Sequence, residues 1–349
     1  MNTNIKSLII FFSLLALTSC EKFVDIEPRG QLIPSTVTDF RMLLDEVQKM
    51  NFTGSIGELS SDNMYYNDID FQNLSNTFEK NTYTWNKSIY LPSDQATDWN
   101  TPYDRIYTTN VILEGLEKTN EGSQVERNTV KGEALFHRSI ALYEVVTLYA
   151  GIYNEATAAE EKGVPIRTSS DVFVVSERPT LKETYEQVLN DCEEAANLLP
   201  ARAEVKTRAS KAAAYALLAR VYLDMEQYDK ALENALNVLE IQDDLLDYND
   251  IDIFAFPRFA ELNAEVIMHF TLPNFAYSFD WTVPISPDLY NLYDDNDLRK
   301  TLFFDVYDPG SGMELPFFGG SYAGNWPRFT GLANDEIYLV AAECYARQK

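Results

Sequence analysis

Residues 210–240 read SKAAAYALLARVYLDMEQYDKALENALNVLE, and this stretch decides the fold. It predicts two helices joined by a tight turn at Met225–Tyr228. In the first helix Tyr215, Leu218, Ala219 and Tyr222 share one face, with the small residue Ala219 where the second helix must approach closely. Ala231, Ala235 and Val238 supply the inner face of the second helix. Ala, Leu, Glu and Lys dominate both segments, so intrinsic propensity and apolar periodicity agree. A helix pair of this kind cannot bury its inner face alone and needs stacked neighbours.

The aromatic-x2-Leu-small-x2-Tyr spacing is that of a tetratricopeptide first helix. Upstream, Thr180 with Glu183 forms a predicted capping box for a helix over 181–199, ended by Pro200. Further helices are expected near 131–149, where Phe136, Ile140, Tyr143 and Val146 keep the period, and near 98–118. In the latter Trp99, Tyr103 and Ile106 are in phase, which assigns Trp99 to the core. Thr36–Met50 is read as one more helix, capped by Thr36 or Thr38. Residues 51–95 are polar, aromatic and expected to be irregular. Beyond Asp243 the character changes. Residues 265–270 predict a strand, 271–330 a region of loops with a short helix at Pro287–Tyr293, and Asn334–Gln348 a final helix. There Tyr338, Ala341, Ala342 and Tyr345 repeat the spacing of Tyr215, Leu218, Ala219 and Tyr222. The helix that should pair with it would begin past Lys349, so either another molecule supplies that helix or, as is expected here, the chain is a truncated gene product with an uncovered apolar face. The fold class is therefore mainly α: a tetratricopeptide-like helical array with long irregular loop excursions and little β.

The N-terminus reads as a targeting segment. Lys6 precedes an apolar run, Leu8–Leu17, too short to span a bilayer. The run stops at Leu17-Thr18-Ser19-Cys20, which resembles a bacterial lipobox with Cys20 as the lipidated residue; the alternative is an ordinary signal peptide with a chance Cys. A net charge of −26 argues against nucleic acid or an anionic membrane surface as the direct partner. Cys192 and Cys344 lie on predicted helices, where they read as buried thiols, with pairing left open. His137 and His269 are isolated in sequence, and no Cys/His spacing suggests zinc.

Several short motifs, taken in order, resemble the SusD/RagB-type outer-membrane lipoproteins of the Bacteroidetes. They are the lipobox and its leader into Pro28; Trp99, Tyr103, Ile106 and Asn110; Gly132-Glu133-Ala134 with Phe136, Arg138 and Tyr143; and Gly163-Val164-Pro165. Arg178-Pro179-Thr180, the Ala213–Tyr222 helix, Glu265-Val266-Ile267 and Asp335–Leu339 follow. Tyr149-Ala150-Gly151 departs from the usual Tyr-Gly, and the family's tail beyond Glu343 is missing. The resemblance implies a signal peptide at 1–19, an N-terminal SusD-like region at 20–242 and an incomplete C-terminal region at 243–349. It also implies a non-catalytic surface protein, anchored in the outer membrane by lipid. Such a protein captures oligosaccharides, or sometimes peptides, and delivers them to a SusC-type TonB-dependent transporter, without a cofactor or metal.

A sugar-capture site needs exposed aromatic faces with polar groups at the rim. Two loops have that composition: one with Asp62, Asn63, Tyr65, Tyr66, Trp85 and Asn86, the other with Tyr277, Trp281, Tyr322, Asn325 and Trp326. Trp85 and Trp281 are expected to stack on ligand, with Asp62 and Asn86 at the rim and Tyr277 and Trp326 alongside; simple packing of these aromatics onto the array is the alternative. Enzyme readings fare poorly. Ser321 in GGSYAG is out of phase for a Gly-x-Ser-x-Gly elbow, and nothing singles out a carboxylate pair for glycoside hydrolysis. Asp294-Asp295-Asn296-Asp297 lacks the Gly and distal Glu of an EF-hand and reads as a solvated turn. A scaffold that binds only protein partners is the second reading.

Overall fold

The structure is a computed structural model and describes residues 34–74, 76–272, 283–310, 312–324 and 327–348. Five long helices carry the array: α6 (Thr97–Lys118), α7 (Gln124–Tyr149), α8 (Leu181–Leu198), α9 (Lys211–Asp224) and α10 (Tyr228–Ile241). Each packs on its neighbour in sequence, and the last long helix, α13 (Asn334–Arg347), packs on α10. Their shared core is dominated by small residues of α9, including Ala212, Ala216 and Ala219, against Val188, Ala195, Ala231 and Ala235. Small side chains let helix axes come close, so contact area is gained without bulk. Gly132 serves the same end on α7: a Cβ there would lie 2.9 Å from Leu199 Cγ.

Polar anchors cross the same interfaces. Arg138 of α7 donates to both carboxylate oxygens of Asp191 on α8 (2.7 and 2.6 Å) and to Asn110 Oδ1 of α6 (3.0 Å). One side chain thus ties three helices. Capping is equally local. Thr36/Asp39, Ser123/Glu126 and Thr180/Glu183 each form a reciprocal box at a helix start. The Ser123 box begins α7 several residues ahead of the predicted start, in a stretch with too few apolar residues to show a period.

The predicted helix over Thr36–Met50 is two helices, α1 (Val37–Leu44) and α2 (Val47–Met50). They part at Asp45, whose carboxylate takes two bonds from Arg208 (2.8 and 2.9 Å). Residues 51–95 depart further from expectation. Among the described residues they hold three short helices, α3 (Ile56–Leu59), α4 (Asp68–Asn73) and α5 (Thr77–Tyr83). Each is too short for apolar periodicity to register; α4 is marked only by its cap, Asn67, which accepts from the N–H groups of Ile69 and Asp70 (both 2.9 Å).

The expected strand is β1 (Val266–Met268), and it pairs antiparallel with β4 (Leu332–Ala333), which leads straight into α13. A second pair, β2 (Phe304–Tyr307) with β3 (Leu315–Phe318), lies inside the region expected to be loops. Pro316 hides it: Pro argues against a strand, but it is tolerated in a two-stranded sheet where its missing donor is not needed. Two short helices, α11 (Pro287–Asn291) and α12 (Leu298–Leu302), precede this hairpin. Among the described residues, Cys192 and Cys344 are both buried and unpaired, and no helix is long and apolar enough to cross a membrane.

Candidate functional site: a junction of two loops

Residues 51–66 are bonded to the segment around His269–Thr271 and to residues 284–286 and 328–330. At the root, Asn51 Nδ2 donates to the carbonyls of Thr207 (3.0 Å) and His269 (2.8 Å). Thr53 N–H donates to Thr271 O (3.1 Å), Thr271 N–H to Asn51 O (3.0 Å), and Thr53 and Thr330 share a hydroxyl bond of 2.7 Å. Arg105 of α6, fully buried, reaches Phe52 O and Glu144 and lies over the Phe270 ring at 5.7 Å. Halfway out, Tyr65 N–H donates to Pro284 O and Ser286 N–H to Asn63 O, both at 2.9 Å, around the Met64–Ile285 bridge. Leu59, Met64, Tyr66 and Val283 form a small apolar core beneath this seam. Arg328 closes the other side through an ion pair with Glu58 and packs over Phe318 at 5.6 Å.

Two openings flank the seam. One, of about 310 Å³, is lined by Glu58, Asn63, Tyr293, Phe318, Arg328 and Phe329. The other, of about 630 Å³, is lined by Asn67, Asp68, Asp70, Pro284 and Phe317 among others. Beneath them burial raises the pKa of Glu79, whose Oε1 accepts from Asn76 (3.0 Å), and burial likewise pushes up the Tyr66 hydroxyl.

Trp85 has the most telling geometry. It follows α5, with its indole 77% exposed and its backbone at φ +52°. Its N–H donates to Thr82 O (3.0 Å) and that of Asn86 to Asn81 O (2.8 Å). This is a Schellman ending, in which the left-handed position belongs to glycine on steric grounds. A tryptophan there costs about 1–2 kcal/mol relative to glycine. It lies two residues past Tyr83, whose ring meets Tyr66 edge-on at 4.9 Å, so the α5 end is coupled to the seam. Asp62 and Asn86 are exposed, and Asn86 Oδ1 accepts from Ser88 N–H (3.1 Å). Tyr277, Trp281, Trp326 and Cys20 lie outside the described residues.

Other expectations resolve locally. Trp99 is half-buried, tilted against Tyr103 (4.9 Å) and edge-on to Tyr149 (5.0 Å). Ser321 serves its own loop, donating to Pro327 O (3.2 Å) and accepting from Phe329 N–H (2.9 Å). Asp297 caps α12 and pairs with Arg299, Asp295 pairs with Lys300, and among the described residues no carboxylate, His or Cys cluster suits a metal. Glu58 and Arg328 escaped the sequence reading. A signal was there for Arg328: it is the only charged residue between Glu314 and Asp335.

Residues 22–223 match the SusD-like family described as starch-binding and associating with the outer membrane, and the chain belongs to that family. SusD-like protein P25 of Formosa agariphila is 26% identical over 279 residues, covering 75% of this chain and 51% of that protein. The chain thus spans about half the length of this curated relative. A SusD superfamily protein of Bacteroides thetaiotaomicron superposes with a TM-score of 0.71 at 23% identity, over 90% of this chain and 76% of that one. Another from Bacteroides vulgatus gives 0.74 at 18%, over 90% and 77%. A laminarin-binding SusD-like protein gives 0.63 at 17%, over 88% and 78%. At these identities the solved structures establish a shared, mainly α fold.

Proposed function

We propose that this chain is a non-catalytic surface protein that captures an oligosaccharide at the loop junction and delivers it to a SusC-type TonB-dependent transporter. The observation that carries this reading is Trp85: a bulky indole, exposed, in a backbone position that glycine would occupy more cheaply. Strain at an exposed aromatic points to use rather than packing. In this reading Trp85 stacks on a sugar face, Asp62 and Asn86 accept and donate at the rim, and Tyr277, Trp281 and Trp326 complete the platform from the second loop. Residues 243–349 open the family's C-terminal region, and a lipid on Cys20 tethers the protein to the outer membrane. The family description and the laminarin-binding neighbour support glycan as the ligand class.

Trp85→Gly tests this directly. It should raise stability by about 1 kcal/mol by relieving the left-handed strain, while weakening oligosaccharide binding at least about tenfold. Calorimetry with a glycan panel, beside thermal melts, measures both; undiminished binding would sink the reading. The scaffold alternative draws on the exposed Tyr338, Leu339 and Tyr345 of α13 and gains if no glycan binds.

A further inference from the structure

A cleft of about 630 Å³ lies between α6 and the excursion over residues 163–179, and it shares no lining residue with the openings at the loop junction. Its floor is an aromatic stripe. Trp99, Tyr103 and Tyr107 are four residues apart, so they follow one another along one helix face at a rise of about 6 Å per step. The stripe is rigid at its inner end, where Trp99 is wedged between Tyr103 and Tyr149. Tyr103 donates its hydroxyl to Pro165 O (2.8 Å). Tyr107 is 43% exposed at the outer end.

The facing wall is braced from behind. Asn110 Nδ2 donates to the carbonyls of Arg167 (3.1 Å) and Ser169 (3.2 Å). Glu114 accepts from Ser170 N–H (2.8 Å) and from the hydroxyls of Ser170 (2.6 Å) and Ser169 (3.1 Å), bonds that hold its carboxyl below the usual range. Arg167 closes the excursion on itself, donating to Val174 O (3.0 Å) and Asp171 O (2.8 Å). At the tip Phe173 and Val175 are 89% and 90% exposed. An apolar tip held out over an aromatic floor, on a pre-organised wall, fits a binding site better than a solvated turn.

The chemistry selects the occupant. Among the described lining residues the cation is Arg167, whose Nη1 and Nη2 already donate to the loop carbonyls of Val174 and Asp171, and Asn110 on the floor is likewise bonded to loop carbonyls, which favours an uncharged occupant. The rim offers the Asp104 carboxylate, which also holds Lys49 (2.8 Å), and Ser176. Flat aromatic faces with acceptors at the edge suit a neutral sugar, whose C–H faces stack and whose hydroxyls donate. We propose that this cleft is a second oligosaccharide subsite, built on α6 and independent of Trp85; the proposal rests on the glycan-capture reading for its ligand class.

Trp99 reports on the cleft if the other three tryptophans are replaced, as Trp85→Phe, Trp281→Phe and Trp326→Phe in one chain. Titration with maltoheptaose or laminariheptaose should give a saturable change in Trp99 emission, weakened about three- to tenfold by Tyr107→Ala. Flat emission with both sugars, or a response that Tyr107→Ala does not move, overturns the proposal. Calorimetry on the unsubstituted protein then decides the loop junction separately. Should the triple variant misfold, that calorimetry also tests the cleft: two sites are expected, one weakened by Tyr107→Ala, and a single site indifferent to that change overturns the proposal.

Discussion

Helices α9 and α13 carry the same four-position spacing and meet different fates. In α9, Leu218, Ala219 and Tyr222 are buried and Tyr215 is half-buried. In α13 only Ala341 of the equivalent set is buried, while Tyr338, Ala342 and Tyr345 are exposed. The difference lies in neighbours. Helix α9 sits between α8 and α10, so both flanks are covered. Helix α13 turns Ile337, Val340 and Cys344 toward the array, and among the described residues its aromatic face meets solvent. A repeat pattern therefore states which faces a helix can bury; burial itself depends on what stands opposite. Arg347 and Gln348 partly tie α13 to the array, through the Tyr228 ring (4.6 Å) and Asp229 (2.9 Å), but both contacts lie at the surface.

Substitutions in matched pairs probe this contrast, and the largest gap should come from charge. Arg138 and Asp191 are almost fully buried, and desolvation holds Asp191 above the usual carboxylate range despite the pairing. Arg138→Ala strands that carboxylate and should remove about 3–5 kcal/mol of stability. Arg347→Ala, which undoes a half-exposed pair with Glu343 on α13, should cost less than about 1 kcal/mol. Urea melts of the two variants measure the gap, and equal losses would mean that α13 is as embedded as the array. Leucines come next. Leu218→Ala in α9 should cost about 2–5 kcal/mol. Leu339→Ala, at a site 71% exposed, should stay within about 0.5 kcal/mol.

A third contrast is one of pH and belongs to His137 of α7; α13 carries no histidine. Burial, reinforced by Arg105, lowers its pKa from 6.5 to about 3. The unfolded chain takes up a proton in that window and the folded chain refuses it, so stability is lost as pH falls below 6.5. The slope should approach about 1.4 kcal/mol per pH unit between those values. His137→Leu abolishes this contribution, so the stability difference between parent and variant should shrink or reverse on going from pH 7 to pH 5. A pH-independent difference would show that His137 takes up its proton in the fold as readily as in the unfolded chain.

The long helices were legible because periodicity accumulates over many turns, and because Thr180 with Glu183 marks a start that needs no tertiary contact. Short helices such as α4, marked only by the Asn67 cap, and the strand through Pro316 gave no such periodic signal; β3 exists because β2 pairs with it and because Pro316 O accepts from Ile285 N–H (2.7 Å). The candidate site divides likewise. Trp85, Asp62 and Asn86 are readable as residue types suited to sugars. That Trp85 stands in a left-handed ending, and that Asn63 and Tyr65 bond to Ser286 and Pro284, is readable from no spacing.

By itself, then, the sequence determined the helical array, the family resemblance and the class of side chain suited to a ligand, because these follow from local propensity, periodicity and residue chemistry. Only the tertiary structure decided which faces were covered, that Asn63–Tyr65 met Pro284–Ser286 along one seam, and that Trp99, Tyr103 and Tyr107 floored a cleft as well as a core. Those outcomes depend on pairings between segments far apart in the chain, and such pairings are won by the packing of the whole molecule.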